Sequence, residues 1–262
     1  VSQINTGAKY NDDVFQFSVG LNGVGTKAVN ALSEYFHAVA FRAGAYAEAE
    51  FAQGKLTKEK KGKTTKYRDG TYIQFRPDRQ LFGDYRYNEE FIVQRLWNYA
   101  YLNAGLTLVY NKQKIHSEGG LRDLLASEVG EKGLYQVAHL RQDRLECAFT
   151  HTSSYGETYW SFVNGQFTAD GGTHQSAFRE GLLKGVNEFY KKNYAGEDVR
   201  EGIAGALAIR IKDPQFEGQT KNKLGNSDVR SWIVGEVRAA VVDFLHKNTD
   251  AAKTLEHKIT QN

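Results

Sequence analysis

Along this chain the apolar residues change period repeatedly, and they do so in both halves. In HAVAFRAGAYAEAEF, residues 37–51, Ala45, Ala47, Ala49 and Phe51 fall on one side and Tyr46, Glu48 and Glu50 on the other. A period of two belongs to a strand with one wet face, so this stretch reads as a hairpin. In NEEFIVQRLWNYAYLNAG, residues 88–105, Phe91, Ile92, Arg95, Leu96, Tyr99 and Leu102 form one helical stripe. The same switching predicts a helix face at Val24, Ala28, Leu32 and Phe36, and strands at TYIQFRP (71–77) and LTLVY (106–110), the latter closed by a turn at Asn111–Gln113. Beyond it come a helix at GGLRDLLASEV (119–129) and strands at LYQVAHLR, RLECAFTH and ETYWSFVNG (134–165). A long helix over Thr173–Lys192, a strand at IAGALAIRI (203–211) and a helix after Asn226 on Val229, Ile233, Val237, Ala240 and Phe244 complete the pattern. Sheets mixed with helices in both halves predict an α+β chain of two domains.

The 262 residues leave room for that, and fifteen Tyr and fifteen Phe supply large core side chains. A net charge of +3 does not by itself argue for nucleic acid. Six lysines and one glutamate in GKLTKEKKGKTTK (54–66) predict a solvated loop; a basic DNA-binding module would rest on these lysines alone. The single cysteine excludes an internal disulfide framework, and Cys147 alternates with Leu145 and Phe149 into a core. With no apolar run near 18 residues, the expectation is a cytoplasmic protein without membrane contact. The lack of methionine and the opening at Val1 in mid-pattern lead us to expect an internal fragment. TDAAKTLEHKITQ (249–261) reads as a polar helix with little apolar face that runs on into further structure.

Candidate chemistry is sparse. The seven histidines show no H-E-x-x-H and no pairing with cysteine at metal spacing, which predicts no metal ligands, and G-x-S-x-G does not occur. Two loops stand out. VGLNGVGTKAVNALS (19–33) places Gly20 and Gly25 at P-loop separation, but Thr26 and Lys27 are reversed, and Gly20, Gly23 and Gly25 miss the dinucleotide fingerprint. Spacing leaves a flexible turn and a phosphate cradle equally open. KDPQFEGQTKNKLGN (212–226) is long for a strand-to-helix connection, where about two to six residues are usual. Its Gln219 and Lys221 suit an anion or plain solvent.

GLNGVGTKAVNALS resembles the ATP lid of the gyrase, Hsp90, histidine-kinase and MutL superfamily. FVNGQFTADGGTHQSAFREGL (162–182), EDVREGIAGALAIRIKDPQFEGQTKNKLGN (197–226) and YLNAGL (101–106) resemble, more narrowly, the ATPase part of type IIA topoisomerase B subunits. The resemblance implies that residues 1–117 are the C-terminal part of a truncated ATP-binding α/β sandwich including the lid. It implies a ribosomal-S5-like transducer domain over 118–247 and the start of a helical linker over 248–262. It further implies that ATP with Mg²⁺ is bound, with Gly20, Leu21, Asn22, Gly23, Val24 and Gly25 on the phosphates. Lys9 would be a further cationic contact and Phe15 would reach the adenine. Asn22 with Lys27 is closer to the eukaryotic enzymes, where that lysine touches phosphate. Lys221 would be the catalytic contact to the γ-phosphate, with Gln219 beside it. Gly171–His174 would be structural, with Thr173 as a helix cap. The implied protein is an ATP-operated clamp that homodimerises on ATP, captures DNA and works with a topoisomerase A subunit. Asn22 and HQSAF lean toward topoisomerase IV over gyrase. A chaperone or mismatch-repair clamp of the same superfamily is the alternative, against which the Gly-Gly-Thr-His and Gln-Thr-Lys segments argue. In the family the general-base glutamate, the magnesium-binding asparagine and the adenine-reading aspartate precede the lid. The expectation is that this polypeptide binds ATP weakly and does not turn it over.

Overall fold

Beyond the glycines the chain forms a helix of only seven residues, α1 (Gly25–Ala31), and then turns into sheet: β1 (Ser33–Arg42), β2 (Ala45–Ala52), β3 (Lys55–Lys63) and β4 (Gly70–Pro77), followed by the short α2 (Arg79–Phe82). This computed structural model describes residues 1–3, 17, 18, 20 and 23–261. The chain divides into two compact units, Val1–Asn88 and Glu89–Asn262.

In the first unit the strands are antiparallel in the order β3-β2-β1-β4. Phe36 lies opposite Phe51 on one side and Phe75 on the other, and the three rings share a face, with Phe36 and Phe51 edge-on at 6.2 Å. Two expectations fail here. Val24, Ala28, Leu32 and Phe36 do not make one helix face: α1 stops at Ala31, Val24 and Leu32 are exposed, and Phe36 is buried as a strand residue. Pairing of β1 on both of its edges outweighs continuation of a short helix whose nucleus is costly. The lysine segment is not a loop but β3, an exposed edge strand. Gln53 and Gly54, with φ of +49° and +79°, make the two-residue turn that right-twisted strands favour. Lysines suit such a position, because a charged edge resists pairing with another chain.

The second unit contains α3 (Glu89–Leu102), the hairpin β5 (Thr107–Tyr110) and β6 (Gln113–His116), α4 (Leu121–Val129), β7 (Ala138–Arg141), β8 (Leu145–His151), β9 (Thr158–Val163), β10 (Gln166–Phe167), α5 (Thr173–Tyr190), α6 (Gly196–Arg200), β11 (Ile203–Ile209), α7 (Arg230–Lys247) and α8 (Thr249–Gln261). Its main sheet runs β10-β9-β11-β8-β7, with β9 and β11 parallel across the α5 crossover. Both faces are covered. Phe178, Leu182, Val186, Ile233, Val237 and Leu255 belong to one core with Cys147, Phe149 and Leu207. Leu102, Leu121, Leu124 and Leu125 pack with Ala148, Phe162 and Ala206 in the other. A sheet dry on both sides explains why β8 and β11 are near-continuous apolar runs. Cys147 is buried as expected, and burial pushes its thiol up to about 12.

Details of the expected stripes shift. On α3 the buried positions are Ala100 and Leu102, while Phe91 and Tyr99 are exposed. On α7 they are Ile233, Val234, Val237, Val241 and Leu245, a stripe rotated from the expected one, with Ala240 and Phe244 half-buried. The helix expected to have little apolar face, α8, buries Ala251, Ala252, Leu255 and Ile259, and the Tyr190 hydroxyl donates to the Ala252 carbonyl. Leu102 at the end of α3 shares a core with α4, within the second unit.

Candidate functional site

Lys9, Phe15, Leu21 and Asn22 lie outside the described residues. Of the remaining glycine segment, Gly20 is exposed and its N–H donates to Ser18 Oγ at 3.1 Å. Gly23 has a left-handed φ of +59°, which favours glycine. Val24 and Gly25 are exposed, and a side chain at Gly25 would meet open space. Lys27 is exposed on α1. Among the described residues of this segment, Gly20, Val24 and Gly25 thus face solvent beside the Lys27 cation, and Gly23 is half-buried.

The second loop is better defined. Phe216 and Leu224 bridge, Glu217 N–H donates to Lys223 O at 3.0 Å, and Gly225 N–H donates to Gln215 O at 2.7 Å. Residues 215–225 are therefore a small hairpin, and Gln219 and Lys221 are brought together at its tip. Gln219 is exposed and Lys221 half-buried, with a left-handed φ of +57° and its N–H on Gly218 O. Asn226 buckles the base: its Oδ1 accepts from Gln215 N–H and its Nδ2 donates to Asp213 O.

The hairpin is laced to the Gly171–His174 segment. Asp170 N–H donates to Asn222 O, Thr173 N–H to Leu224 O, and Leu224 N–H to Gly171 O, all within 3.1 Å. At Gly172 φ is +125°, and a Cβ would lie 2.4 Å from the Leu224 backbone N and O, so no side chain fits. Thr173 is not the expected cap. Gly172 holds that position without a side-chain bond, and the Thr173 hydroxyl donates to Leu224 O instead. His174 is buried, and burial lowers its pKa to about 4, so it is neutral near pH 7. Its Nε2 meets Thr168 Oγ1 at 3.0 Å inside a network with Ser161 and Gln175.

Two of the segments on which the resemblance rests, 162–182 and 197–226, are thus bonded neighbours in the second unit. A family model described as DNA gyrase B matches residues 107–262. The chain belongs to the DNA gyrase B family. Among its relatives, this gyrase B family chain is 51% identical to the B subunit of DNA topoisomerase 4 from Borreliella burgdorferi, over all of this chain and 44% of that protein. It spans less than half the length of the curated relatives it matches. Among solved structures it is similar to the 43K ATPase domain of Thermus thermophilus gyrase B in complex with an aminocoumarin, with a TM-score of 0.78, 29% identity, and coverage of 91% of this chain and 71% of that one. It is also similar to the topoisomerase IV ATP-binding domain of Francisella tularensis in complex with a small-molecule inhibitor, with a TM-score of 0.77, 25% identity, and coverage of 98% and 73%. The α+β fold is that of these ATPase domains.

Sequence reasoning missed Gly172, Leu224 and Asn226 as the parts that hold the tip of the 215–225 hairpin. A glycine pair before a long helix was visible, but not which backbone it had to admit.

Proposed function

We propose that this chain is the ATP-binding and coupling part of a type IIA topoisomerase B subunit, of the topoisomerase IV kind. The 51% identity over its whole length carries the reading. In it Gly20, Gly23, Val24 and Gly25 offer backbone N–H groups to the triphosphate, with Lys9, Leu21 and Asn22 as further contacts and Phe15 against the adenine. The chemistry of the donors fits: Gly20 and Gly25 are exposed, Gly23 is half-buried, and Lys27 adds a positive charge. ATP, when bound, supplies the phosphoryl group whose transfer to water drives the clamp. Lys221 meets the charge that builds on the γ-phosphate, and Gln219 donates beside it. A cation on a hairpin held at both ends stabilises that charge with little reorganisation. The division of residues 1–117, 118–247 and 248–262 into nucleotide-binding, transducer and linker parts belongs to the same reading. So do homodimerisation on ATP, DNA as the captured partner, and the topoisomerase A subunit.

None of the assigned residues is a carboxylate able to take a proton from water, nor a dedicated Mg²⁺ ligand. This polypeptide alone is therefore expected to bind ATP without steady phosphate release. The test is Lys221→Ala in the full-length protein assembled with its A subunit. Turnover is expected to fall by about a hundredfold or more, as when a transition-state contact is lost. Unchanged turnover would remove Lys221 from the reaction.

A further inference from the structure

Strand register brings together three side chains from two adjacent strands. His37 on β1 is the direct partner of Glu50 on β2, and Glu48 follows two residues along the same face. One ligand atom from each lies within 4.8 Å of the others, the only such group of three among the described residues. His37 Nε2 is 2.7 Å from Glu48 Oε1. The side chains are 16%, 23% and 24% exposed, although this face meets solvent. Tyr72 stands edge-on to the imidazole at 5.5 Å and Tyr35 tilts against it at 6.2 Å, which walls the ring in place.

We propose that His37, Glu48 and Glu50 form a Zn²⁺ site on the sheet of the first unit. One imidazole nitrogen and two carboxylate oxygens are ligands that zinc accepts, with water as a fourth. Imidazole disfavours Mg²⁺ and Ca²⁺, which take oxygen ligands. The ion takes the place of the hydrogen shared between His37 Nε2 and Glu48: a neutral ring carries its one proton on Nδ1 and gives the Nε2 lone pair to the ion, and a second ring proton, where present, leaves to solvent. Ligands about 2.0–2.2 Å from a tetrahedral centre sit about 3.3–3.6 Å apart, so the closure needed is a matter of side-chain rotation. Seven consecutive β1–β2 pairs hold the backbone fixed meanwhile. Besides the His37 contact to Glu48, Glu50 has a bond from the Tyr35 side chain and Lys58 Nζ at 3.9 Å, and that lysine is 59% exposed and able to swing away. The site lies within one unit and stands apart from the nucleotide reading.

Isothermal titration of ZnCl₂ into this chain tests the proposal, with His37→Ala, Glu50→Gln and, as a surface control, His116→Ala. One saturable site per chain is expected, weakened at least about tenfold in either site variant and unchanged in the control. Excess Mg²⁺ should not displace the zinc. If His37→Ala does not fold, the near-isosteric Glu50→Gln carries the test, together with the visible absorption of the Co²⁺-loaded protein. No saturable site, or equal affinity in wild type and Glu50→Gln, overturns the assignment.

Discussion

His151 and His174 are the two imidazoles that this fold takes fully out of water. His151 Nε2 donates to the Val199 carbonyl, which can only accept, so Nδ1 is the acceptor for the Tyr135 hydroxyl. Burial holds both rings down to about 4 from an ordinary 6.5. Between those values the unfolded chain takes up protons that the folded chain refuses. Stability is therefore full above about pH 6.5, falls as pH drops through the window by up to about 1.4 kcal/mol per unit per histidine, and levels off below about 4. Glu157 acts lower down. Burial works to raise its pKa, but bonds from Arg179, Tyr159 and Arg200 outweigh that and hold it below 4.5. Urea unfolding at pH 7 and pH 5 checks this, and equal stability at the two values would contradict it. The sequence shows the histidines but not which of them are dry. That depends on the strand neighbours of His151 and on the Thr168–Ser161 network around His174.

Among the elements, α5 and α7 approach most closely where Gly181 and Gly185 face Val237 and Val241. A Cβ at Gly185 would lie 2.7 Å from Val241 Cβ and 2.9 Å from the Arg238 carbonyl oxygen. Gly185→Ala is expected to destabilise by about 1–3 kcal/mol through overpacking, despite the better helix propensity of alanine. Gly235, on the exposed side of α7, has nothing within 4 Å. Gly235→Ala should stabilise by about 0.5–1 kcal/mol. Opposite shifts in the unfolding midpoint are the expected result, and a stabilised Gly185→Ala would show the helices able to part. Helix periodicity found both α5 and α7 but left their facing stripe about one position out on α7. The stripe is set by which residues of α5 it meets.

Over the whole molecule the two units differ in what they bury. The second has a sheet covered on both faces, whereas Phe36, Val39 and Phe51 are the buried large apolar side chains described in the first. All three tryptophans, Trp97, Trp160 and Trp232, lie in the second unit. In a urea titration of this chain, far-UV circular dichroism should therefore begin to fall at lower urea than tryptophan fluorescence. Coincident curves would mean that the units unfold together. Local pattern along the chain was enough for the α+β class, the long helices and most of the longer strands, the inward Cys147 and the loop bearing Gln219 and Lys221. Each is readable from period, turn chemistry or motif. It took the folded molecule to establish that the lysine run is an edge strand, that α8 lies on the core, that Gly172 admits the Leu224 backbone, and that His37 meets Glu48 and Glu50. Those outcomes depend on strand register and on which faces meet, and such pairings are settled between residues remote in sequence, where no local pattern records them.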